Sequence, residues 1–348
     1  MRIRELTVQN RLWVAPMCQY SVEREDGAPT DWHLVHLGAL AQGRPGLLLT
    51  EATAVSPEGR ISPQDTGIWN DNQVAAWRRI TDFAHGVGTP IAVQLAHAGR
   101  KASTYRPWAA ERGTIPASAG GWRAVGPSAV AFPHYDVPLA LDPAGLAKIT
   151  DDFASAARRS IAAGFDAVEL HAAHGYLLHE FLSPVSNVRS DEYGGSLPNR
   201  ARLLLDVVRA VRAAIGDDVP LLVRFSATDW LDDGWTVAET STVSRWAAEA
   251  GADVMDVSSG GNAPAAIPVG PLYQVPLAAE VRRVAGVPVT AVGLITTAEQ
   301  AEQVVASGQA DAVMIARAAL RDPHFALNAA AELGGTITWP AQYERAAV

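Results

Sequence analysis

Cysteine is almost absent: Cys18 is the one thiol in 348 residues. A lone cysteine makes no intrachain disulfide, no thiolate-held iron–sulfur cluster and no cysteine-based structural zinc site. Positive charge is also short, with 28 Lys and Arg against 37 Asp and Glu. The chain therefore lacks the basic excess that nucleic acid recognition needs. No apolar run approaches the roughly 20 residues that span a bilayer, and the opening MRIRELTVQNRLWVAP has no signal-like apolar segment. These absences predict a cytoplasmic protein with neither membrane nor nucleic acid as partner. No low-complexity linker or charge block divides the sequence, so residues 1–348 are expected to form one domain. Nor does a Gly-x-Gly-x-x-Gly follow the first strand-like stretch, which tells against an open dinucleotide-binding sheet.

What is present is an alternation of short apolar runs with helical periodicity. Strands are expected near 12–16, 46–51, 90–95, 166–170, 219–225, 253–257, 288–292 and 311–315, mostly continuous apolar runs of the kind buried on both faces. Between them, Leu203, Leu204, Val207, Val208 and Val211 mark one apolar helix face. A degenerate repeat (AAGFDAVEL, EAGADVMDV, ASGQADAVMI) places Gly164, Gly251 and Gly308 just past helix ends, where a left-handed residue turns the chain into the next strand. About eight such units close into a (β/α)8 TIM barrel. Two stretches break the rhythm, residues 100–140 and 171–197, each after an expected strand end. Irregular segments of this size inside a compact domain are usually lids or binding loops.

The expected strand ends gather polar groups: Cys18 and Tyr20 after the first, Gln94 and His97 after the third, His171, His174 and Tyr176 after the fourth. Arg224 lies within the apolar fifth strand and needs a partner, with Glu169 and Glu51 as candidates. Gly293 follows the seventh strand, and Ala316 and Arg317 follow the eighth, the usual phosphate corner of a barrel. His171, His174 and His179 fall within nine residues. They read as metal ligands with Glu180, as buried structural imidazoles, or as paired donors to a substrate oxygen with Tyr176 as proton source.

Across nearly its whole length the chain resembles the Old Yellow Enzyme family, and within it the bacterial thermophilic-like branch. RLWVAPMCQYS, TDWHLVHLGALA, VQLAHAGRKAS, HAAHGYLLHEFLSPVSNVRSDEYGGSLPNR and PAQYER carry the likeness. The resemblance implies an FMN-holding barrel that takes a hydride from NADPH or NADH and passes it to an electron-poor alkene. It implies FMN contacts from Ala15, Pro16, Met17 and Cys18, from Ala52 and Gln94 at the ring, and from Arg224 at the edge where negative charge collects. Gly293, Ala316 and Arg317 would hold the phosphate. His171 and His174 match the pair that binds a carbonyl or nitro oxygen, and Tyr176 the proton donor. Tyr20 and Lys101 match substrate-side groups, and Cys18 a thiol that tunes the flavin. The family's homo-oligomers, dimers or tetramers, place a C-terminal arginine in a neighbouring subunit's site, and Arg345 matches it. The ending Ala346, Ala347, Val348 departs from the family pattern, as do Ala316, where glycine is common, and Gln19, where methionine is.

Overall fold

The computed structural model describes residues 1–347. Eight parallel strands close into a barrel in chain order: β1 (Leu12–Val14), β2 (Leu48–Ala54), β3 (Ile91–Ala96), β4 (Ala167–Ala172), β5 (Leu221–Ser226), β6 (Val254–Ser258), β7 (Val289–Ala291) and β8 (Ala312–Ile315). Closure runs from β8 to β1 through Val313 beside Leu12 and Ile315 beside Val14. Outside them lie α1 (Asp31–Gln42), α2 (Asp71–Gly86), α3 (Pro143–Ala162), α4 (Leu177–Leu182), α5 (Leu197–Ile215), α6 (Val237–Glu249), α7 (Val275–Ala285), α8 (Ala298–Ala306), α9 (Arg317–Arg321) and α10 (Phe325–Glu332). The expected (β/α)8 barrel is the observed one.

The periodicities explain the two packing shells. Strand residues facing outward meet the helices, and the five apolar positions of α5 are all buried there. Burying each such side chain contributes about 1.5–3 kcal/mol. Strand residues facing inward, among them Trp13, Leu49, Ala92, Leu222 and Met314, fill the barrel. Ile3 and Val8 belong to that inner cluster, brought there by an N-terminal hairpin pairing Arg2–Ile3 with Leu6–Thr7. The hairpin closes the end where the strands begin, so chemistry is left to the other end. Gly164, Gly251 and Gly308 adopt the left-handed conformation just past α3, α6 and α8.

Strand β2 runs three residues beyond its expected end, because the polar stretch TEATA is buried throughout. The excursion after β3 contains two 3-10 turns, Gly99–Lys101 and Ala117–Ala119, and a short parallel pairing of Val125–Gly126 with Leu139–Ala140. It is held to the loop after β2 by Trp122, whose Nε1 donates to the Glu58 carbonyl at 2.9 Å. The Arg60 guanidinium lies 4.8 Å from the Trp122 ring and 5.5 Å from Trp69. The second excursion carries α4 and leads into α5. Among the described residues no helix is long and apolar enough to cross a membrane.

Candidate active site

Strand register sets the polar layer at the open end. His171 stands beside Arg224, and Arg224 beside Asp256. Arg224 Nε lies 2.8 Å from Asp256 Oδ2. The partner is thus Asp256 of β6, not Glu169 or Glu51, because Asp256 is its neighbour on the adjacent strand. Asp256 Oδ1 also accepts from Thr290 Oγ1 at 2.8 Å. Gln94 pairs with Ala52 on one side and Glu169 on the other, donating to Glu169 Oε1 at 2.7 Å. Burial, followed by repulsion from Asp256, raises the Glu169 carboxyl above the usual range. A protonated Glu169 leaves one cation, Arg224, facing one carboxylate.

His171, His174 and Tyr176 meet as expected. The His171 ring centroid is 5.2 Å from that of His174 and 4.9 Å from that of Tyr176, both edge to face. His171 Nδ1 accepts the Ala173 amide at 3.2 Å, so its hydrogen belongs on Nε2. His174 Nε2 lies 2.7 Å from Ser258 Oγ. Gln274 Oε1 accepts Ser259 Oγ at 2.6 Å and lies 3.3 Å from Ser258 Oγ; when Ser258 turns its hydrogen to the nearer His174 Nε2, the ring hydrogen sits on Nδ1. Burial, and then the Arg224 cation, hold both imidazoles well below the usual range. Both are neutral at pH 7, each with one N–H for a ligand. Burial raises the Tyr176 phenol well above its ordinary value, so it stays protonated.

Tyr20 and Cys18 complete this wall, packing with Tyr176 and Trp122 around Ala52, Ala96 and Ala102. The Tyr20 hydroxyl touches the Cys18 thiol. Burial and the nearby Asp65 and Glu51 raise that thiol, so it is neither thiolate nor a ready nucleophile. The loop bearing both side chains is braced from behind. Glu51 Oε2 accepts the Gln19 amide at 2.6 Å, and Glu51 Oε1 lies 2.8 Å from His33 Nε2.

Gly293, Ala316 and Arg317 come together, lining one cleft with Tyr273, Leu294 and Arg321. Among the described residues neither Arg317 nor Arg321 has an acidic partner, and both are exposed. Two free cations beside backbone at Gly293 and Leu294, both with positive φ, suit a phosphate. The Arg224 cation at the barrel mouth suits the electron-accepting edge of a flavin. The chain's residues therefore fit FMN. Tyr273, Leu294 and Arg321 were not anticipated, since no periodic signal marks them; Ser258 stands at the polar end of an apolar strand, a signal that was there to read.

The remaining histidine of the cluster faces elsewhere. His179 Nδ1 accepts the Gly175 amide at 2.9 Å, and its Nε2 lies 3.2 Å from Asp229 Oδ1. Glu180 Oε1 accepts the Arg100 amide at 2.8 Å. Lys101 Nζ donates to the carbonyls of His174 and Gly261 at 2.8 and 3.0 Å. Arg345 is not part of this assembly. It is exposed on a 3-10 turn, Ala341–Ala346, anchored by Tyr343 against His324 and Gln42. Of the altered ending, Val348 lies outside the described residues.

Comparison with known proteins agrees with this geometry. The NADH:flavin oxidoreductase / NADH oxidase family profile matches residues 1–334. A NADH:flavin oxidoreductase of Gibberella zeae is 46% identical over 95% of this chain and 84% of its own length. A NADPH dehydrogenase of Listeria monocytogenes is 44% identical over 99% of this chain and 97% of its own. Among solved structures, an old yellow enzyme homologue from Zymomonas mobilis superposes with a TM-score of 0.79 at 30% identity, covering 97% of this chain and 93% of that one.

Proposed function

The chain belongs to the NADH:flavin oxidoreductase / NADH oxidase family, the Old Yellow Enzymes, and on that premise we propose that this FMN- and NAD(P)H-dependent oxidoreductase is an ene-reductase. Its substrates would be alkenes conjugated to a carbonyl or nitro group. The observation that supports this reading is the pair of neutral imidazoles, His171 and His174, edge to face beside a protonated Tyr176.

Bound FMN would supply the hydride, taken from a nicotinamide and delivered to the alkene β-carbon. Hydride arrival pushes electrons onto the substrate oxygen, where His171 Nε2–H and His174 Nδ1–H donate. Preset donors at a developing oxyanion typically contribute about 10²–10³ each in rate. Tyr176 then gives its proton to the α-carbon, as a phenol with pKa near 10 or above can do toward an enolate. Arg224 provides a fixed cation where negative charge collects, and Arg317 and Arg321 hold the phosphate. Cys18 stays a thiol beside the ring and adjusts its potential. Tyr20 and Lys101 stand on the substrate side, and the excursion after β3 excludes water from the pocket.

A homo-oligomer fits the exposed Trp32, Val35 and Leu320, and in it Arg345 would reach a neighbouring site. Removing residues 344–348 would then weaken substrate affinity, and unchanged affinity would count against that contact. The reaction itself is tested anaerobically. NADPH should bleach the yellow holoenzyme, and one equivalent of 2-cyclohexenone should restore the colour. Reoxidation by oxygen but not by enone or nitroalkene would point to an oxidase instead.

A further inference from the structure

The His174–Gly175 turn is held in an unusual backbone conformation through both of its amides and the His174 carbonyl. His174 has φ +57° and Gly175 φ +71°, left-handed values that a side-chain-bearing residue seldom adopts. The His174 amide donates to Ser226 Oγ at 2.9 Å, and Ser226 Oγ donates on to the Gly260 carbonyl at 2.8 Å. The Gly175 amide donates to His179 Nδ1. The His174 carbonyl is left for Lys101.

That carbonyl does not stand alone. A methyl on Gly175 would come within 2.4 Å of the Gly261 carbonyl oxygen, and one on Gly261 within 2.7 Å of His174 Cα. The loops after β4 and β6 thus touch through two glycines. Their carbonyls, from His174 and Gly261, converge on a single Lys101 ammonium. Two carbonyl dipoles brought together repel unless a cation lies between them, and a charge-assisted bond to each reverses the sign. Lys101 comes from a third loop, after β3, and its Nζ lies 4.7 Å from the Phe132 ring and 5.0 Å from the Tyr176 ring. Burial lowers it to about 8, which leaves most of it as ammonium at neutral pH.

We infer that Lys101 is a positioning residue for His174: its ammonium draws the His174 and Gly261 carbonyls together and so fixes the imidazole that grips the substrate oxygen. This assigns Lys101 a role through His174 rather than through contact with substrate, and it rests on the ene-reductase reading of the site.

A double-mutant cycle in the holoenzyme separates the two roles. Lys101→Met keeps the apolar stem and removes the ammonium. It is made in the wild-type background and in His174→Ala. Two quantities are read: kcat/KM for 2-cyclohexenone, and the dissociation constant of 4-nitrophenolate, a chromophoric stand-in for the enolate that needs no turnover. Lys101→Met should lower kcat/KM and raise the dissociation constant at least tenfold each in the wild-type background, and change each less than twofold once His174 is gone. Equal losses in the two backgrounds, or no loss in either, would overturn the assignment. If Lys101→Met does not fold, Ser226→Ala releases the same turn from its amide side and must show the same masking by His174→Ala; additivity there overturns it equally. A wild-type holoenzyme that binds the phenolate but leaves enone untouched would refute the ene-reductase reading, while the phenolate cycle would still decide the role of Lys101.

Discussion

His171 and His174 present their rings edge to face, planes 84° apart, three residues apart in sequence but on the strand end and the turn that follows it. His171 is the penultimate residue of β4, in the same inward phase as Ala167, and the left-handed turn at His174 brings the second ring back beside it. Neither ring carries charge at pH 7. The pair therefore stabilises an oxyanion as two neutral donors, and that state has a pH signature.

Because burial and Arg224 depress both imidazoles, protonation near the ordinary histidine value of about 6.5 does not occur in the folded site. The rate of alkene reduction should be flat from about pH 6 to 7. A rise or fall of tenfold across that window, in a single-turnover pH profile, would show that a charged imidazole takes part.

Arg317 and Arg321 have no acidic partner among the described residues and share the Gly293 cleft. A hydrogen bond to a charged group contributes about 1.5–3 kcal/mol. Arg317→Ala should therefore weaken FMN binding by roughly ten- to a hundredfold, read from the recovery of free-flavin fluorescence on dilution. Retention equal to wild type would place the phosphate elsewhere.

The Cys18 thiol is raised by burial and by Asp65 and Glu51. Alkylation by iodoacetamide at pH 8 should proceed at least tenfold more slowly than for a free cysteine, because the thiolate is the reactive form. Labelling at the free-thiol rate would mean that the local charges do not act as described.

The barrel was legible because its strands are apolar runs and three of its helices end at a glycine in the same phase. The cluster around His171 and Tyr176 was legible because polar residues crowd one strand end. Partners across strands were not. Arg224 meets Asp256 through the register of β5 on β6, and nothing in DVMDV alone says which aspartate faces inward. His179 and Glu180 lie in the same histidine-rich stretch as His174, yet they turn toward Asp229 and the Arg100 amide. The onset of α4 at Leu177 sets those directions, which spacing alone does not fix. Lys101 was expected at the substrate, and its two bonds to main-chain carbonyls depend on the contact of Gly175 with Gly261, residues far apart in the chain.

The most direct test is a stopped-flow comparison of wild type with Tyr176→Phe in separate half-reactions. Loss of a general acid typically slows its step by about 10²–10⁴. The reoxidation of reduced enzyme by 2-cyclohexenone should fall by at least a hundredfold, while reduction by NADPH stays within about threefold. Equal slowing of both half-reactions, or none in either, would contradict Tyr176 as the proton donor and with it the proposed chemistry.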